Sequence, residues 1–201
     1  MGKTLIGVLA LQGAFIEHVK ALSRLGAQAV EVRLPQHLEG LHGLIIPGGE
    51  STTIARLMND YALTPPIKAM IKEGLPIWGT CAGMIVLAQN NGAVPYPTLA
   101  AMDAVVERNA FGRQVDSFEA DLRIAALGDP PFRGVFIRAP VFKKIGANVM
   151  PLAEIEGGGV VAAQEANLLA TAFHPELTGD LRFHQYFLRM VDAPKKAGKR
   201  G

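Results

Sequence analysis

The chain has a single cysteine, Cys81, in the run GTCAG at residues 79–83, where the apolar segment PIW gives way to small residues and then to a second apolar segment. Glycines two places before and two after the sulfur match the G-x-S-x-G spacing of a nucleophile elbow, with sulfur in place of oxygen. Small neighbours let a strand turn tightly into a helix and leave the central side chain exposed at the turn. That turn would lie at the carboxyl edge of a sheet, where open α/β sheets bind ligands. The helix N-terminus behind it favours a thiolate. A lone cysteine is more often a small buried packing residue. Here the two glycines favour the nucleophile.

A thiol nucleophile needs a base, which usually comes from elsewhere in the chain. Of the five histidines, His18 falls in a helix-like segment, His37 and His42 near loops, and His184 in RFHQYF, which reads as packing. His174 differs, because it ends the apolar run LLATAF and is followed by Pro175 and Glu176. A histidine at a strand's end can face the elbow, and Glu176 can accept a hydrogen bond from its other ring nitrogen and fix the tautomer. Alone, H-P-E equally suits a turn with a capping acid. As a metal site it lacks a third ligand at suitable spacing, and no metal is expected.

LIIPGGEST, at residues 44–52, adds a third element. Two glycines after a strand leave backbone N–H groups able to approach a ligand closely. Such donors suit a phosphate or an oxyanion. The phosphate reading lacks the lysine of a P-loop, since no G-x-x-x-x-G-K-[ST] occurs. A glycine turn into a capped helix would also account for the run. Only together with the elbow cysteine and H-P-E does it favour an oxyanion site.

These groups need a scaffold, and the hydrophobic pattern supplies one. Leu5–Leu11, Ala29–Val32, Gly43–Ile46 and PIWGT read as strands; in the segment after the first, Phe15, Val19 and Leu22 share a helical face. A helix capped by Ser51 or Thr52 runs to about Tyr61, another covers Pro65–Glu73, one begins just after Cys81, and the last runs from near Gly179 to before Pro194. The second half is richer in strands. In RQVDSFEADLRI, Phe118, Ala120, Leu122 and Ile124 fall on one face and Ser117, Glu119, Asp121 and Arg123 on the other. GVFIRAP, GGGVVAAQEA and LLATAFHPE add short strands. Alternating strands and helices predict a mostly parallel sheet covered on both faces, with antiparallel additions in the second half.

With 201 residues, 49% of them hydrophobic, one domain over residues 1–193 is expected, followed by a short solvated basic tail over 194–201. The net charge of +2 owes much to that tail, and basic residues are nowhere interleaved with aromatics, so nucleic acid is not an expected partner. No apolar run approaches the roughly 18–20 residues needed to cross a bilayer. LIGVLAL runs straight into an amphipathic segment without a convincing cleavage site and reads as the first strand, not a signal peptide. A cytoplasmic protein without membrane contact is expected. One cysteine excludes an intramolecular disulfide.

PGGE, GTCAG and HPE, in this order, resemble the class I (triad) glutamine amidotransferases. The blocks GVLALQGAFIEH, PGGESTT, VERNAFGRQVDSFEADL, GVFIRAP and FHPELTGD narrow the resemblance to the glutaminase subunits of pyridoxal 5'-phosphate synthases, on the ribose-5-phosphate-dependent route to vitamin B6. It runs from about Leu5 to Val191; AVPYPTLAAMDA and the tail beyond Asp192 depart from it. The resemblance implies a flavodoxin-like α/β fold and hydrolysis of L-glutamine through Cys81, His174 and Glu176. It also implies an oxyanion hole from the backbone N–H groups of Gly49 and Ala82. Glutamine would be held by Gly49, Glu50, Ser51, Arg108, Ile137 and Arg138. A zwitterionic substrate needs a cation for its carboxylate, which either arginine can supply. A synthase subunit is implied as partner, receiving the ammonia in a heteromeric assembly, and this chain needs no cofactor. Gln12, in the LALQGAF turn, is the candidate to sense that partner. A stand-alone cysteine hydrolase and a catalytically idle regulatory subunit are the competing readings.

Overall fold

A computed structural model describes residues 4–92, 94–108, 117–157 and 159–193. Residues 109–116 of the VERNAFGRQVDSFEADL block and the basic tail lie outside them. The first half runs β1 (Leu5–Leu9), α1 (Phe15–Arg24), β2 (Gln28–Val32), a 3-10 turn at Pro35–Leu38, β3 (Gly43–Ile46), α2 (Ser51–Asp60), α3 (Thr64–Lys72), β4 (Ile77–Thr80) and α4 (Ala82–Leu87). Then come β5 (Ala88–Asn90), β6 (Met102–Glu107), β7 (Ser117–Leu122), β8 (Phe132–Ile137), β9 (Val141–Ile145), β10 (Met150–Ile155), β11 (Gly159–Glu165) and β12 (Leu168–Thr171). A 3-10 turn at Pro175–Leu177 and α5 (Arg182–Asp192) complete the described chain.

β2, β1, β3, β4 and β12 lie side by side and are all parallel. This is the doubly wound order 2-1-3-4-5, with β12 in fifth place. The chain steps one way from β1 to β2 and the other way from β3 to β4, so the crevice between the ends of β1 and β3 is a topological switch point. Beyond β12 the sheet continues through β11, β9 and β6 in antiparallel pairs; β5 then lies parallel to β6, and β10 pairs with β11. These are the expected antiparallel additions. β7 and β8 form a separate antiparallel pair, in which Phe118, Ala120 and Leu122 take the inner face as predicted.

Helices cover both faces, as alternation along β4 shows. Trp78 points to one side, where it packs against His184, Phe187 and Phe183 of α5 and His18 of α1. Its neighbour Gly79 points to the other, where a Cβ would run into the backbone of Gly83 and the side chain of Leu87 in α4. Among the described residues no helix is long and apolar enough to cross a membrane.

One expected cap is corrected. Neither Ser51 nor Thr52 caps α2; Glu50 does, accepting the N–H groups of Thr52 at 3.0 Å and Thr53 at 2.6 Å. A carboxylate does this better than a hydroxyl, because it takes two orphan donors and also opposes the positive end of the helix dipole.

Candidate active site

β4 delivers Cys81 to the sheet edge in a backbone state that few non-glycine residues adopt, φ +47° and ψ −102°. Such a residue costs on the order of 1–3 kcal/mol and persists only where its surroundings hold it. They do so here through close backbone packing. Cys81 N–H donates to Thr171 O of β12 at 2.7 Å. A Cβ on Gly79 would strike the backbone of Gly83, and one on Gly83 would strike the carbonyl of Ile46 at the end of β3. The two glycines are therefore required for space, so that α4 can sit down on β3 and β4. The result is an elbow.

β12 delivers the histidine. Just past its end, His174 N–H donates to Val135 O of β8 at 2.8 Å, and its Nδ1 lies 2.7 Å from Glu176 Oε1. Cys81, His174 and Glu176 are each less than a tenth exposed, and the Glu176 side chain is fully buried behind the imidazole. Burial opposes charge on His174. Hydrogen bonds donated by the imidazole to Cys81 and Glu176, with the negative charge on both, outweigh it and raise the imidazole pKa from 6.5 to about 10. The Cys81 Sγ also lies 3.8 Å from Ile137 O.

The third wall is the turn after β3. A Cβ on Gly48 would collide with the His174 ring, and one on Gly49 with the Gln12 amide oxygen. Neither glycine has a positive φ; contact space, not conformational freedom, demands them. Gly48 O accepts the N–H of Ala14 at 3.0 Å, so the planar trans peptide directs Gly49 N–H the opposite way. Gln12 Oε1 accepts the Glu50 N–H at 2.7 Å, and the loops after β1 and β3 are thus clamped together.

A cleft of about 480 Å³ opens over these groups, a volume ordinary for a small-molecule site. Cys81, His174, Gly49, Ala82, Glu50 and Ser51 line it, as do Arg108, Ile137, Arg138 and Gln12. Every predicted site residue therefore meets in one place, with Glu176 just behind. The two arginines differ. Arg108 Nη2 lies 3.4 Å from Glu50 Oε1, whereas Arg138, at φ +42°, forms no ion pair with another described residue. Burial pushes the Glu50 carboxyl up, but the backbone N–H groups and hydroxyls of Thr52 and Thr53 together outweigh it and hold the carboxyl below its ordinary value.

Sequence reasoning missed what lies beneath. His18, treated as one helix residue among others, is fully buried, as are His184, Thr80 and Thr171. His18 Nδ1 is 3.0 Å from His184 Nε2, and His18 Nε2 is 3.3 Å from Thr80 Oγ1. Burial holds the His18 pKa well below 6.5, aided by charge on His184 and His174, and lowers His184 to about 4. The readable signal was position: His18 shares the buried stripe of α1 with Ala21 and Leu22.

A parallel sheet with an elbow cysteine at its edge is the framework of the class I glutamine amidotransferases, and a crystal structure of a glutamine amidotransferase superposes on this chain with a TM-score of 0.88 at 51% identity, covering 94% of this chain and 99% of that one. The PurLQS structure from Thermotoga maritima, 15% identical, shares the fold with a TM-score of 0.71 over 95% of this chain and 100% of that one. The profile of the SNO glutamine amidotransferase family matches residues 8–193. The chain belongs to that family. Among its relatives, a protein of Roseiflexus sp. (strain RS-1) is 54% identical over 92% of this chain and 99% of its own length. One of Dehalococcoides mccartyi (strain ATCC BAA-2266) is 57% identical over 92% of this chain and 96% of its own. Both are named pyridoxal 5'-phosphate synthase subunit PdxT.

Proposed function

We propose that this chain is the glutaminase subunit of a pyridoxal 5'-phosphate synthase, hydrolysing L-glutamine and passing the ammonia to a synthase subunit. The observation that carries this reading is the elbow cysteine against a buried histidine–glutamate pair in a chain more than half identical to PdxT proteins. Cys81 attacks the side-chain amide carbon of glutamine, and the carbonyl oxygen becomes an oxyanion held by the N–H groups of Gly49 and Ala82. Ala82 opens α4, where an N–H has no partner within the helix. The raised His174 pKa puts the shared proton on the imidazole, ready for the leaving nitrogen. C–N cleavage releases ammonia and leaves a thioester. His174, now neutral, takes a proton from water, which attacks the thioester and frees glutamate. The proton remains on His174 and the thiolate is restored.

The test is to mix the chain with glutamine, with and without a synthase subunit, and to measure ammonia and glutamate. Equal amounts of both, and alkylation of Cys81 by a glutamine-mimicking chloroketone, are expected. An idle regulatory subunit would release neither.

Two further results are expected. Arg108→Ala or Arg138→Ala should raise KM for glutamine more than it lowers kcat. Losing a charged hydrogen bond costs about 1.5–3 kcal/mol, or roughly ten- to a hundredfold in affinity. An unchanged KM in both variants would place the substrate carboxylate elsewhere.

The second concerns pH. Because His174 titrates near 10 in the fold, kcat/KM should hold through neutral pH and fall as pH approaches 10, when the proton for the leaving group is lost. Glu176→Gln removes a partner that raises this pKa, so the basic limb should move to lower pH and kcat should drop by about ten- to a hundredfold. A basic limb that stayed put would detach Glu176 from His174. The same shift has a stability consequence. With its folded pKa above 6.5, the protonated imidazole stabilises the folded chain in full below about pH 6.5 and loses that contribution as pH rises towards 10.

A further inference from the structure

The two oxygens of the Glu176 carboxylate are served unequally. Oε1 faces His174 Nδ1 at 2.7 Å. Oε2 is buried without a hydrogen bond among the described residues, and His18 Nε2 faces it at 3.4 Å. That separation is long for a hydrogen bond. It is also of the kind that tightens when a catalytic site is loaded. An anionic oxygen this deep needs a donor, and α1 has placed an imidazole beside it.

Which ring nitrogen carries the proton follows from the neighbours. His18 and His184 are both kept neutral by burial, so each has one N–H. In one arrangement His184 Nε2–H donates to His18 Nδ1, and the His18 proton sits on Nε2, facing Glu176 Oε2 and Thr80 Oγ1. The lone pair of His184 Nδ1, a buried atom without a partner, then goes unserved, while Glu176 Oε2 at least has an N–H turned towards it at 3.4 Å. In the other arrangement His18 Nδ1–H donates to His184. The Thr80 hydroxyl can then donate to His18 Nε2, but that nitrogen's lone pair also faces an anionic oxygen, and His184 Nδ1–H becomes a buried donor without an acceptor. Orphaned buried donors are rarer than underused acceptors, and two faults are worse than one. The first arrangement wins.

We propose that His18 is a positioning residue of the site: its Nε2–H, oriented by His184 and Thr80, holds Glu176 Oε2 and so fixes the carboxylate that orients His174. The chain of contacts is His184, His18, Glu176, His174, Cys81. It rests on the roles proposed above for His174 and Glu176. A histidine that only packs, edge-on to Trp78 at 5.5 Å, would have no influence on turnover beyond stability.

The first measurement is the tautomer of His18 and His184, read by imidazole ¹⁵N NMR on the unaltered chain near pH 7. Protons on Nε2 of both rings are expected; a proton on His18 Nδ1 overturns the proposal. The second is glutaminase kinetics in the presence of the synthase subunit. His18→Leu should lower kcat by about ten- to a hundredfold, the size of a hydrogen bond to a charged group, with KM for glutamine unchanged. His18→Gln, whose amide nitrogen can stand near the Nε2 position, should recover most of the loss. In a Glu176→Gln background His18→Leu should cost less than about twofold, because residues acting through one another are not additive. Equal losses in both backgrounds, or an unchanged kcat, overturn the proposal. If His18→Leu fails to fold, the tautomer measurement decides. A parent chain inactive towards glutamine would sink the glutaminase reading instead, and the tautomers would still decide the placement of His18.

Discussion

Cys81→Ala should abolish ammonia release from glutamine, a loss of more than about a thousandfold, since removing a nucleophile disables the whole catalytic unit. The fold should survive, because Ala fills nearly the same space and the turn is held by backbone packing around Gly79 and Gly83. Ala still carries a Cβ, so it inherits the strain at φ +47°. Cys81→Gly does not. Releasing about 1 kcal/mol or more of that strain should raise the thermal midpoint of the glycine variant above that of the alanine variant by roughly 2–4 °C or more. The two variants thus separate chemistry from strain: both dead, one more stable. Ammonia release by either at the parental rate would remove Cys81 from the mechanism. Equal midpoints would mean that the strain is no larger than the extra chain entropy glycine loses on folding.

Much of this site was legible because its chemistry sits at element boundaries, where small and special residues cluster. GTCAG marks the end of β4 and the start of α4, PGGE the end of β3, and HPE the end of β12. Parallel strands carry those ends to one edge, so three motifs far apart in sequence meet in one cleft. The arginines were not legible in this way. Nothing in local pattern separates Arg108 from a surface residue, and only the resemblance brought it to the cleft. Glu50 was read as a substrate contact, yet its carboxylate also caps α2, since a helix start takes whichever acceptor stands nearest its N–H groups. In MDAVVE, the segment that became β6, exposure alternates along the strand, but its pairing with β9 depends on tertiary contacts no local window contains. His18 escaped for a related reason. Its partners Thr80, Glu176 and His184 come from three other parts of the chain, so its meaning exists only after folding.

Control by the partner should be the other large effect: alone the chain should be a poor glutaminase, and the synthase subunit should raise kcat by about a hundred- to a thousandfold. Ammonia released without an acceptor is wasted, so hydrolysis is useful only in the assembled enzyme. The Gly48–Gly49 peptide offers a switch of the right size. Losing one oxyanion donor costs about a hundred- to a thousandfold in kcat. Rotating this peptide by half a turn would replace the Gly49 N–H with the Gly48 carbonyl, removing a donor and placing a lone pair at the hole. The rotation has to break the bond from Ala14 N–H to Gly48 O, while the neighbouring Glu50 N–H is held by Gln12. Both restraints come from the loop after β1 and hold the peptide with its N–H at the hole, so a partner that steadies this loop would favour the competent orientation. Gln12, lining the cleft and bonded to the turn, is the residue placed to transmit that effect. Gly49→Val would push a Cβ into the Gln12 amide oxygen and should leave the chain inactive with or without the synthase subunit. The measurement is steady-state ammonia release at saturating glutamine while the synthase subunit is titrated in, for the parent, Gln12→Ala and Gly49→Val. Gln12→Ala should weaken the response to the partner more than it weakens glutamine binding. Maximal activity in the chain alone would rule out gating by the partner, and full activation of Gly49→Val would exclude this turn as the switch.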